Sequence, residues 1–295
     1  MDINYELYKV FYYVGKTLSF SEASRILFIS QSAVSQSIKT LEKKLDQTLF
    51  VRSTKKVVLT KEGELLFKHI ESAVNLIKRG ENQLHEAGML NGGQLRIAAS
   101  DTICRYFLVP YLNTFHKKYP NVHIQVTNGT SAKCVDYLES NEVDLIITNF
   151  PNNRLSGVAS VKEIATFTDV FIANRKAFPP ANHLLSFEEL SHMPIMMLSK
   201  TTTTSRYLHD VFLKQGIDLV PDIELSSNDL LIDLAKIGLG IAFVPDYCLD
   251  IMDSDLYKLE LKEQMQSRKL VVAYSETVPM SEVGKYFIKL LGEKV

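Results

Sequence analysis

The run "QSAVSQSIKTLEKKL" at residues 31–45 carries Ser32, Ser35, Gln36, Lys39 and Lys43. On a helix at 100° per residue these five share one arc of about 100°. On the opposite side Val34, Ile38, Leu41 and Leu45 recur at spacings of four, three and four and form one apolar stripe. The polar face begins with short hydroxyls and amides and ends with ammonium groups. Hydroxyls and amides hydrogen-bond base edges, a helix N-terminus attracts phosphate, and lysines neutralise a nucleic-acid backbone. An ordinary amphipathic helix with a solvated polar face shows the same pattern, so its neighbours must decide between the two.

Upstream, Ser19 followed by Glu22 fits a capping box that opens a short helix with Ala23, Ile26 and Leu27 on its apolar face. Ser30 is placed to cap the next helix, from about Gln31 to Lys44. Two short helices around so brief a turn, the second with a polar outer face, predict a helix-turn-helix. Val10, Phe11 and Val14 of an earlier helix would complete its small core. Downstream, "TLFVRSTKKVVLT" (48–60) alternates apolar strands around a basic tip, with Arg52, Ser53, Lys55 and Lys56 in or beside it. A basic hairpin after a recognition helix reads as a wing placed on the flanking backbone or minor groove. Residues 1–60 hold nine Lys/Arg against five Asp/Glu, a net +4, in a chain whose total is −1, which leaves −5 for the rest.

A second chemistry recurs farther along. Strand-to-helix junctions start with hydroxyl or amide residues at "SDT" (100–102), "GTS" (129–131), "TTTTS" (201–205) and "SSND" (226–229). Free helix amides plus hydroxyls suit an anion, most simply a carboxylate, although plain helix capping explains each junction alone. The candidates are Ser100, Thr102, Thr130, Ser131, Thr201 and Thr202, together with Asn149 and Phe171. No lysine or arginine is clearly positioned beside them. The seven histidines show no metal-ligand spacing, and no cofactor is indicated. "GLG" (238–240) precedes a strand and reads as a helix end, not a dinucleotide loop. No nucleophile-base order stands out, so an enzyme is not expected.

The elements that must hold these residues are legible from periodicity. Thr60 is placed to cap a helix of about 28 residues, roughly 40 Å long. Phe67, Ile70, Val74, Ile77 and Leu84 follow a heptad register on it, which suits a two-stranded coil between subunits better than packing on the chain's own body. After Gly93 strands alternate with helices. The strands are 94–100, 122–128 and 143–149, then 158–164, 168–174, 194–198 and 240–245, with 269–276 and a helix at 280–292 returning to the first unit. That is the pattern of two parallel α/β units. Asp2, Glu6 and Lys9 interrupt the first apolar residues, unlike a signal peptide. No apolar stretch reaches the roughly 18 residues of a membrane span. Cys104, Cys134 and Cys248 lack CxxC spacing and fit a reducing compartment, so the expected location is cytoplasmic.

Across the first 60 residues the order F-Y-x-V…L-S-F-S-E-A-S…L-F-I-S-Q-S-A-V-S-Q-S-I-K-x-L-E…L-F-x-R…L-T-x-E-G resembles the N-terminal signature of LysR-type transcriptional regulators. Most members have Pro where Ser32 stands, and many have Arg near Gln36, so the operator sequence is not carried over. The resemblance implies an α/β protein with an all-α-rich winged helix-turn-helix at 1–60 and a long dimerisation linker helix at 61–90. It further implies a two-lobed periplasmic-binding-protein-like effector domain at 94–295, with lobe I about 94–162 and 266–295 and lobe II about 163–265. Its implied function is sequence-specific transcription regulation modulated by a small, anionic metabolite in the interlobe cleft. The DNA-binding residues would be Gln31, Ser32, Ser35, Gln36, Lys39, Arg52, Ser53, Lys55 and Lys56. The implied partners are double-stranded operator DNA, the effector, a second copy in a homodimer, a homotetramer, and RNA polymerase. A cytoplasmic solute-binding or redox-sensing protein using the same two-lobed domain is the alternative. Redox sensing would want a second cysteine near 199–208, and that loop has none.

Overall fold

The structure is a computed structural model and describes residues 3–52, 56–86, 93–155, 160–251, 255–276 and 278–293. The chain divides into two compact units, the first built on residues 1–88 and the second on 89–295 apart from the 139–142 turn.

In the first unit α1 (Tyr5–Thr17), α2 (Phe20–Leu27) and α3 (Gln31–Leu45) are followed by a hairpin and a long helix. Local chemistry sets each boundary. The side chains of Asn4, Ser19 and Ser30 accept from Glu6, Glu22 and Ala33 amides and start the three helices, and Leu18, Phe28 and Asp46 end them in the left-handed conformation. Glu22 turns instead to Arg25, at 3.2 Å. The apolar faces meet in one core that contains Phe11, Val14, Ala23, Val34, Ile38 and Leu41. Strands β1 (Phe50–Arg52) and β2 (Val57–Leu59) pair antiparallel, Phe50 opposite Leu59. Ser53 and Lys55 lie outside the described residues.

Helix α4 (Lys61–Glu86) turns part of its apolar stripe onto its own unit. Phe67 stacks on Tyr12 with ring centroids 6.0 Å apart and planes 7° from parallel, and Leu66, Phe67 and Ile70 pack on the core of the same unit. Two glycines allow this approach. A Cβ at Gly15 would stand 2.4 Å from the Phe67 ring, and one at Gly63 would stand 2.1 Å from the Leu49 carbonyl oxygen. Phe67 and Ile70 therefore contribute to the head's own core, and Val74 is half-buried. The apolar residues left in solvent are Leu65, Leu76, Ile77 (63% exposed) and Leu84 (79%). No helix among the described residues is long and apolar enough to cross a membrane.

The second unit holds two five-stranded sheets built on one plan. From β3 (Gly93–Ala99) the chain passes α5 (Asp101–Ile103), a π-helical turn (Cys104–Leu108) and α6 (Val109–Lys118). It continues through β4 (Val122–Asn128), α7 (Ser131–Glu139), β5 (Leu145–Phe150) and β6 (Ser160–Phe167). The second lobe follows with β7 (Asp169–Asn174), α8 (Phe187–Ser191), β8 (Ile195–Leu198), α9 (Thr203–Leu213), β9 (Ile223–Leu225), α10 (Asn228–Lys236), β10 (Ile241–Pro245) and β11 (Leu256–Lys258). Then β12 (Arg268–Tyr274) and α11 (Glu282–Leu291) close the chain. The sheet orders are β4-β3-β5-β12-β6 and β11-β7-β10-β8-β9. In each sheet three strands run parallel and two join antiparallel.

Both faces of each sheet are covered, so the strands read as apolar runs. Ile97, Ile147 and Val272 enter one layer of the first lobe while Ala98, Ile146 and Val271 enter the other. In the second lobe Phe171, Met197 and Phe243 oppose Ile172, Met196 and Val244 in the same way. The lobe boundary expected at 162 is corrected. Residues 160–167 pair with β12 from Ser160 opposite Tyr274 to Phe167 opposite Arg268, so the whole strand belongs to the first sheet and the chain crosses at Thr168.

Candidate functional site

Helix α3 presents Gln31, Ser32, Gln36 and Lys39 to solvent, with Ser35 half-buried beside them, while Val34, Ile38 and Leu41 are buried. Ser30 Oγ caps the helix at 3.2 Å from the Ala33 amide and lies 2.9 Å from Ser32 Oγ. The positive helix end thus carries hydroxyl and amide groups, and the ammonium of Lys39 lies two turns farther on. Lys56, just before β2, is exposed.

In the second unit the ends of the parallel strands converge on one cavity of about 280 Å³. Strands β3, β4 and β5 deliver Ser100, Asn128 and Asn149, and β8, β9 and β10 deliver Leu198, Ser226 and Pro245. This is where a parallel α/β sheet gathers strand ends and helix starts. Each start is capped by a hydroxyl. Thr130 Oγ1 accepts from the Lys133 amide, Thr202 Oγ1 from Ser205, Ser227 Oγ from Leu230 and Ser100 Oγ from Ile103. Side-chain hydrogen bonds bridge the lobes. Asn228 Nδ2 donates to Thr102 Oγ1 at 2.8 Å, Tyr106 Oη to Asp229 Oδ1 at 2.5 Å and Asn149 Nδ2 to Thr204 Oγ1 at 3.4 Å, and the Ser131 and Thr203 hydroxyls stand 3.5 Å apart.

Behind this wall lies a buried ion pair at the two chain crossings. Arg268, 3% exposed, sets Nη1 2.6 Å from Asp169 Oδ2, and Asp169 has no solvent exposure. The same Nη1 donates to Thr204 Oγ1 at 3.2 Å, and the guanidinium lies over the rings of Tyr207 and Phe167. Burial raises the Asp169 carboxyl, and the Arg268 charge offsets only part of that rise. Burial, with Asp229 as its hydrogen-bond partner, raises Tyr106 so that it remains a phenol donor. Burial and then Asp101 push the Cys104 thiol up to about 11. A thiol held protonated at neutral pH is a poor peroxide sensor. Among the described residues no group of three or more His, Cys, Asp or Glu could hold a metal ion.

Of the sequence candidates, Ser100, Thr102, Thr130, Ser131, Asn149 and Thr202 line this cavity. Thr201 and Phe171 do not. The cap of α9 is Thr202, so the inward positions are 202–204, and Thr201 is exposed beside Ser199 Oγ at 3.2 Å. Phe171 points into the second lobe's core against Phe212 and Phe243. Sequence reasoning missed Thr204, Asn228, Tyr247 and the two aspartates of the lining, Asp101 and Asp229. The junctions that hold Asp101, Thr204, Asn228 and Asp229 were visible as hydroxyl-rich runs, but nothing marked Tyr247 or the Arg268 pair.

Two family models match the chain. Residues 5–64 match the one described as bacterial regulatory helix-turn-helix protein, lysR family, and residues 90–295 match the LysR substrate binding domain. Over 286 residues the chain is 24% identical to the HTH-type transcriptional activator CmpR of Synechocystis sp. strain PCC 6803, covering 96% of this chain and 93% of that one. The crystal structure of full-length CbnR with its target DNA is similar with a TM-score of 0.69 at 16% identity, over 98% of this chain and 99% of that one. The CcmR regulatory domain of Synechocystis PCC6803, solved with 2-PG, is similar with a TM-score of 0.62 at 24% identity, over 68% and 96% of the two chains.

The ion pair generates a stability prediction. Arg268→Met leaves Asp169 buried without its cation and should cost about 3–5 kcal/mol, whereas Asp169→Leu combined with Arg268→Met should recover most of the loss. Chemical denaturation monitors both. Equal midpoints for the single and double variants would show that the pair is not what holds the crossing.

Proposed function

The chain belongs to the LysR family of bacterial transcriptional regulators, and from that premise we propose that a small metabolite bearing an anionic group binds between the lobes and modulates operator binding. It is a DNA-binding transcriptional regulator with an effector-binding domain, not an enzyme. The observation that carries the ligand reading is the convergence of six parallel-strand ends and their capped helix starts on one cavity. Likeness to a regulatory domain solved with 2-PG supports a small-molecule occupant.

A small-molecule extract of the producing cells should raise the melting temperature of the full-length protein. Ser131→Ala with Thr204→Val should abolish that rise at the same extract concentration, since each lost hydroxyl costs about 1–2 kcal/mol, roughly tenfold in affinity. DNA binding should survive. An equal rise in the variant places the ligand outside the cleft.

On the DNA side, Gln31, Ser32, Ser35 and Gln36 read base edges, while Lys39 and the wing residues Arg52, Ser53, Lys55 and Lys56 hold backbone or minor groove. Gln36→Ala should cost about 1–3 kcal/mol on DNA selected from a random pool by the wild type, and little on unselected DNA. Lys39→Ala should weaken both alike and flatten the salt dependence. Equal losses on the two DNAs from the Gln36 change would remove it from the base-reading set.

A second copy docking on Leu65, Leu76, Ile77 and Leu84 would pair two recognition helices, and two such dimers would make a tetramer. Leu76→Asp with Ile77→Asp changes residues that are exposed in the single chain, so the subunit should still fold. Sedimentation should show smaller species, because a paired seam would bury both carboxylates. An unchanged mass moves the seam elsewhere.

A further inference from the structure

If the cleft is the effector site proposed above, its lining restricts the ligand further. Two carboxylates, Asp101 and Asp229, line it, and no lysine or arginine does among the described residues. A site for a simple anion would not place full negative charge against its ligand. Asp229 accepts from Tyr106 Oη and faces Arg105 at 3.4 Å, a side chain more than half exposed, and Asp101 accepts from the Asn128 amide. An ionised carboxylate has about four lone-pair sites, so both keep acceptor capacity.

The residue beside Asp229 points independently to a ligand. Asn228 is 5% exposed, donates through Nδ2 to Thr102, lines the cleft, and leaves Oδ1 without a partner. A buried acceptor without a donor is costly, and a ligand N–H would satisfy it. Asp101, Asn228 and Asp229 together offer three acceptors, and an ammonium has three donors.

The other cross-lobe contacts have the opposite character. Ser131 and Thr203 lie at the starts of α7 and α9, where helix amides carry partial positive charge. Thr204 is held from behind by the Arg268 guanidinium. Asn149, 8% exposed, shares Thr204 and has its second amide atom without a partner. Exchange of its Nδ2 and Oδ1 positions lets Thr204 donate to it and frees an N–H for a ligand oxygen.

We propose that the effector is a zwitterion of the amino-acid class. Its ammonium is held by Asp101, Asp229 and Asn228 Oδ1, and its carboxylate meets the starts of α7 and α9 with Asn149.

The test uses full-length protein and calorimetry against the proteinogenic amino acids, β-alanine and 4-aminobutanoate. At least one should bind. For each that binds, the hydroxy acid lacking the ammonium and the amide lacking the carboxylate should bind at least tenfold more weakly. Asp101→Asn with Asp229→Asn should erase the preference for the amino acid over its hydroxy acid, and should not weaken the hydroxy acid. Asp101→Asn alone, at an exposed position, should show the same trend if the double variant does not fold. No binding by any of these compounds, or a hydroxy acid as tight as its amino acid, overturns the zwitterion assignment. An amino acid that binds with the ammonium preference, yet equally well to the Ser131→Ala, Thr204→Val protein, instead overturns the cleft as the site.

Discussion

Where the chain crosses between the lobes, a guanidinium and a carboxylate sit almost without solvent. Arg268 is the first residue of the strand that returns to lobe I, and Asp169 is the first of the strand that opens lobe II. Burying either alone would carry a penalty of several kcal/mol, so each needs the other. The pair fixes both crossings at one point. Its Nη1 also reaches Thr204, which lines the cleft, and Thr204 in turn meets Asn149 at the end of the central strand of lobe I. The position of the cleft's donor wall therefore depends on an ion pair that does not itself line the cleft.

The capping hydroxyls have two simultaneous duties. Thr130, Thr202 and Ser227 each satisfy a helix amide while lining the cleft. Removing one loosens a helix start, at about 1 kcal/mol, as well as changing the site. Ser131, Thr203 and Thr204 are cleaner reporters of the site, since they lie inside the first turns and are not the caps. The head shows a comparable economy. Gly15 and Gly63 carry no side chain because the Phe67 ring and the Leu49 carbonyl occupy that space, which binds the long helix to the three-helix core.

Local signals were legible in the sequence and distant ones were not. Caps at Ser19 and Ser30 and the apolar stripe of α3 act within one or two turns, so the helix-turn-helix could be read directly. Strand β6 could not be assigned to a lobe, because its partner β12 begins about a hundred residues later and its own pattern suits either sheet. Phe171 was misplaced because its strand is apolar on both faces, and alternation then does not say which side meets the cleft. In the run of four threonines nothing in composition fixes the register, and Thr202 is the cap because its Oγ1 accepts from the Ser205 amide while donating to the Ser199 carbonyl. The heptad of α4 looks the same whether Phe67 and Ile70 face a second chain or the chain's own core. Three-dimensional packing had to decide.

The cross-lobe contacts also bound what a ligand can do. Tyr106–Asp229, Asn228–Thr102 and Ser131–Thr203 join the lobes directly. A ligand shifts such an equilibrium only by the difference in its contacts between the two states. One that merely repeated these bridges would add little to a cleft the side chains already span. The groups with spare capacity are Asn149, the unpartnered Asn228 Oδ1 and the two carboxylates, and they stand on both lobes. A molecule that reaches from one set to the other gains its contacts only when the lobes are brought together. Its differential affinity then draws on the buried, unsatisfied atoms of Asn149 and Asn228, where a hydrogen bond is electrostatically stronger than in water. The atoms that the chain itself leaves incompletely bonded are thus the ones through which a ligand would bias the lobes.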